Sequence, residues 1–201
     1  MINRNSLSTI ILALSCIRIL TFFVSFIGLN WLSNGLVDQF LNALSHVNTA
    51  IHISVMLFIA YALTLIEESP WRSIAFILLA LISAAYTILI LTKLIDAHIL
   101  QVMGLVNVAI IVYFVIQSFL IQNQYFNTTF RIYSVVVLLM VGFNSLIPLI
   151  FYKMALPVSY YRYTSLISIF PAAVECYIVY LFYQYFNTNQ AYQNNDFASN
   201  L

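Results

Sequence analysis

Charge is the scarcest property of this 201-residue chain: seven lysines and arginines, six acids, 6% of residues in all. A soluble domain carries roughly 25% charged residues, because its surface faces water. A water-facing surface of that kind is therefore excluded. Nucleic-acid binding is excluded with it, since the net charge is only +1 and no basic run exists to track phosphates. Glycine is nearly as rare, with four residues. That argues against the Gly- and Pro-broken helices through which many transporters expose backbone to substrate. Two candidate breaks remain, Gly142 with Pro148, and Pro171. The two cysteines, Cys16 and Cys176, form no CxxC pair and no metal-ligand spacing, so they are expected to act as small buried apolar residues.

What the chain does have is apolar length. Hydrophobic residues make up 63% and mean hydropathy is +0.98. Six runs stand out, approximately Leu7–Leu29, Leu44–Ile66, Ser73–Ile95, Leu100–Ile121, Tyr133–Phe151 and Tyr161–Tyr183. Each is close to the roughly 20 residues that carry a helix across about 30 Å of hydrocarbon. Barrel-type alternation is missing, which leaves helices as the spanning option. The first run is longer than the roughly 7–15 residues of a signal h-region and no A-x-A-like site follows, so a retained span is expected. The reading is an all-α integral membrane protein, a single bundle of six transmembrane helices over residues 1–186, with a short polar, disordered tail over 187–201.

Six spans put both termini on one side of a multi-pass membrane protein. Lys and Arg do not say which side: Arg4, Arg72 and Arg131 stand against Lys93, Lys153 and Arg162. Tyr and Trp gather near span ends as an aromatic belt, among them Trp31, Trp71, Tyr125, Tyr133, Tyr152 and Tyr183.

Against this background the polar residues inside the spans carry the information. Glu175 lies near the middle of residues 159–186, at a depth where a charge costs about 2.5–3.5 kcal/mol on insertion scales. Thr164, Ser168, Ala172 and Cys176 recur every four residues beside it, a small-residue ridge that admits a close neighbour. Arg18, near the middle of the first span, shares a face with Ser15 and Ser25, with Phe22 between. An Arg18–Glu175 pair is expected. It serves either as interior structure or as a proton or ion relay through Glu175.

The second span is polar only in its first half. Asn42, Ser45, Thr49 and His52 fall on one face, with Asn48 beside them. Together with the deep Asn107 and Asn144 they are either ordinary interhelical hydrogen-bonding groups or the lining of a ligand or ion pocket. His46 and His52 are six residues apart and fall on different faces, so no metal site is expected.

The stretch Glu67-Glu68-Ser69-Pro70-Trp71-Arg72 matches E-E-x-x-x-R and resembles the first signature of intramembrane proteases of the CAAX-prenyl endopeptidase kind. The two further histidine signatures fail, because the only later histidine, His98, has Leu94 four residues before it and Val102 four after. The match therefore reads as two acids and an arginine at adjoining helix ends. No metalloprotease, nucleophile-elbow or P-loop motif is present either. The function expected is that of a non-enzymatic membrane protein without cofactor, a sensory, scaffold or assembly subunit. Its partners would be the lipid bilayer and either another membrane protein or further copies of itself. The alternative is a small transporter or channel subunit that uses Glu175.

Overall fold

The computed structural model describes residues 4–31, 35–67, 69–93, 96–154 and 167–198, and these form six helices. They are α1 (Arg4–Trp31), α2 (Gly35–Ile66), α3 (Pro70–Thr92), α4 (Ala97–Phe119), α5 (Asn127–Met154) and α6 (Ile169–Ala198). Local signals explain several of the ends. Pro70 opens α3, where its missing N–H has no helical partner to lose. Lys93 closes α3 in the left-handed region at φ 55°, its N–H bonded to the Ile90 carbonyl. Asp96 caps α4 by accepting from the Ile99 N–H at 2.8 Å.

Proline also sets where α6 begins. Pro171 sits in its first turn, after a short 3₁₀ stretch at 167–168. In that first turn a proline has no helical N–H partner to lose. Gly142 and Pro148 leave α5 unbroken. The expected ridge survives only as Ser168, Ala172 and Cys176, because Thr164 lies outside the described residues. No glycine or proline follows Pro171, and α6 runs on to Ala198 through the segment read as a tail.

Five helices contain stretches long and apolar enough to cross a membrane: Arg4–Gly28, Gln39–Ile66, Pro70–Thr92, Gln101–Phe119 and Ile169–Thr188. α5 is not among them, and several of the later side chains of the expected span Tyr133–Phe151 are outside the described residues. Large apolar side chains cover the outside of the bundle, Leu105, Phe170 and Leu20 among them.

Each helix packs on its neighbour in sequence, and α6 closes the ring against α1, with α2 also reaching α6. Gly28 lets α1 approach α2 closely, since a Cβ there would stand 3.0 Å from Leu41 Cδ2. Among the described residues the core gathers at one end of the ring. It is built from the second half of α2 (Val55, Met56, Ile59, Leu63), the start of α3 (Ala75, Phe76), Phe114 late in α4, Phe126 and Phe130 around the start of α5, and Ile178 to Phe186 of α6. Phe126 stacks on Phe182 at 4.5 Å, and Phe76 meets Phe114 and Phe130 edge-on at 5.3 and 5.4 Å. Such pairs add about 0.5–1.5 kcal/mol each beyond their burial.

The same end is tied together by Glu67. Its carboxylate pairs with Arg72 and accepts from the backbone N–H groups of Asn123 and Gln122 at 2.9 and 3.2 Å. One buried acid thus joins the α2–α3 turn to the α4–α5 connection.

Candidate functional site

Where the aromatic packing stops, four polar side chains from four helices converge. Glu175 of α6 is 2% exposed, and Arg18 of α1 donates to its Oε2. The Tyr133 hydroxyl of α5 donates to Oε1 at 2.8 Å. His52 Nδ1 of α2 lies 3.2 Å from Oε2. A carboxylate this deep needs a counter-charge and hydrogen bonds to offset its lost hydration, and it has both. Arg18 is held in turn by the face of Phe22, with Cζ 5.9 Å from the ring centroid. Its α1 face is a stripe of small and polar groups, Ser8, Ser15 and Thr21, each bonded to a carbonyl of its own helix. That pairing leaves the stripe self-satisfied and thin enough for α6 to approach.

Above this cluster lies an open cavity of about 460 Å³ between α1, α2, α3 and α4. Of the residues singled out in the sequence, Ser45, Thr49, His52, Asn107 and Arg18 line it, together with Asn48. A second cavity of about 230 Å³ adjoins it, sharing Arg18, His52, Ser83 and Asn107, and reaches Glu175, Tyr133, Asn144 and Pro171. Asn42 is exposed and lines neither. Both cavities lie toward the first half of α2, away from the aromatic end. Among the described residues the bundle is therefore packed at one end and hollow toward the other.

Three features depart from the sequence reading. Tyr133, placed there in the terminal aromatic belt, is 2% exposed; α5 begins at Asn127, so Tyr133 is nearly two turns in and packs against Phe114 at 5.4 Å. Cys16 is exposed and Cys176 half-buried, with their sulfurs 3.7 Å apart across the α1–α6 contact. The two thiols were expected to be buried, yet an apolar group has no cause to leave a surface that is itself apolar. Ser83, Tyr86 and Thr87 of α3, which the sequence reading does not single out, also line the larger cavity. Their i, i+3, i+4 spacing is the signal that marks them.

No family model, no curated protein and no solved structure matches this chain. Among the described residues no group of three or more histidines, cysteines or acids is placed to hold a metal ion.

Proposed function

We propose that this chain is a multi-pass integral membrane protein whose six helices cross the bilayer and which works, without catalysis, as a small transporter or channel subunit. Its helix lengths and apolar exterior support the membrane location. The observation that carries the function is the polar cavity that descends from one end of the bundle to the Arg18–Glu175 pair. An ionisable pair at the floor of a hollow open to one side is the arrangement by which a proton or ion acts on a bundle. Protonation of Glu175 would release Arg18, Tyr133 and His52 together, loosening α6 from α1, α5 and α2 at once.

The experiment is reconstitution into liposomes, with proton flux followed by an internal pH-sensitive dye and solute flux by light scattering. Flux above that of protein-free vesicles, lost in Glu175→Gln, is expected. Vesicles no more permeable than protein-free ones would overturn the reading. A sensory, scaffold or assembly role through a membrane partner would then take its place. That second reading draws on the full set of partners around Glu175, which also suits a purely structural site.

A further inference from the structure

Three of the hydroxyls around the larger cavity have already spent their protons. Ser83 donates to the Leu79 carbonyl at 2.9 Å, Thr87 to the Ser83 carbonyl at 2.9 Å and Thr49 to the Ser45 carbonyl at 3.0 Å. A serine or threonine bonded back to its own helix keeps its oxygen lone pairs free. Those three oxygens therefore meet the cavity as acceptors. The side-chain amides of Asn48 and Asn107 add both acceptor oxygens and N–H donors to the same wall. Beside them stand the hydroxyls of Ser45 and Tyr86, which can donate as well as accept. A solute that both donates and accepts finds on this wall replacements for the hydrogen bonds it gives up to water.

Charge decides the rest. Arg18 lines the larger cavity and Glu175 only the smaller one, so the larger cavity faces the positive end of a pair that is neutral overall. A cation entering it meets the guanidinium. An anion meets the lone pairs of Ser83, Thr87 and Thr49, with the Glu175 carboxylate behind the arginine. Neither has a free counter-charge to replace its hydration. We infer that the solute taken up by the larger cavity is a small uncharged molecule that carries both hydrogen-bond donors and acceptors, of the polyol or urea type. A space of about 460 Å³ is ample for such a molecule with its waters. This inference rests on the transport reading above and names the class of solute it concerns.

Glycerol and urea are the probes, and proteoliposomes of the full chain are the system. After an inward glycerol or urea gradient is imposed, re-swelling is expected several-fold faster than in protein-free vesicles, while a potassium chloride gradient relaxes at the protein-free rate. The Ser83→Ala, Thr87→Val double variant removes two acceptors without removing a bond between helices. It should elute and melt like the parent yet lose most of the glycerol rate. Salt flux with glycerol and urea at the background rate would overturn the solute class and leave the transport reading standing. No flux of any kind would overturn both. Fast glycerol entry unchanged in a folded double variant would overturn the role assigned to the acceptors.

Discussion

At the scale of single residues, Glu175 is the group on which the site turns. Its two oxygens meet Arg18, Tyr133 and His52 where the aromatic core gives way to the cavities. Taking away one member of such a pair leaves a buried charge uncompensated, which costs about 3–5 kcal/mol; replacing both by apolar groups costs far less. Arg18→Met and Glu175→Gln should therefore each lower detergent thermostability sharply, and the double variant should recover much of the loss. Simple additivity in this double-mutant cycle would show that the two side chains do not interact. The pair was legible in the sequence because two mid-span charges of opposite sign stand out in a chain that is only 6% charged. Tyr133 was not legible, since a tyrosine near a span end reads as a belt residue until the helix start at Asn127 shows how deep it lies.

Helices are the next scale, and the contact between α1 and α6 is the one on which the site depends. It joins the first and last elements of the chain, held by the small and polar stripe of α1 and by Ala172 on α6. Cys16 and Cys176 report on it directly, because their sulfurs are 3.7 Å apart. A disulfide needs about 2.05 Å between sulfurs, a closure that side-chain rotation and a small helix shift supply. Mild oxidation with copper phenanthroline should therefore cross-link the two thiols within one chain, seen as loss of both maleimide-reactive groups and recovered by reductant. Retention of two free thiols after oxidation would place α1 and α6 further apart. Helical periodicity exposed the small-residue ridge of α6 in advance, but it could not say that α1 would fill it.

The whole molecule is asymmetric, and its asymmetry is a matter of side-chain volume. At one end the aromatic rings and the Glu67–Arg72 clamp exclude water; at the other, serine, threonine and asparagine leave space that those rings would have filled. With the bundle in a membrane, cysteine at Thr49 should react with an impermeant reagent from one side only. Cysteine at Ser118, wholly buried toward the packed end, should react from neither. Labelling of Thr49→Cys from neither side would reduce the cavity to ordinary interhelical packing. Labelling at Ser118→Cys would mean that the packed end opens.

Composition and period settled the class of this protein by themselves: long apolar helices, too little charge for a watery surface, and a short list of polar residues that such helices do not carry without reason. They also showed that α2 changes character along its length, from polar in its first half to apolar in its second. Period assigns a residue to a face, however, and says nothing about which helix lies opposite. Arg18 and Glu175 are 157 positions apart, and His52 and Tyr133 come from two further helices. Only closure of the ring, α6 against α1 with α2 reaching across, brings the four together. The cavity above them is a property of the same closure, because a hollow is defined by the walls that surround it and no single helix holds more than one.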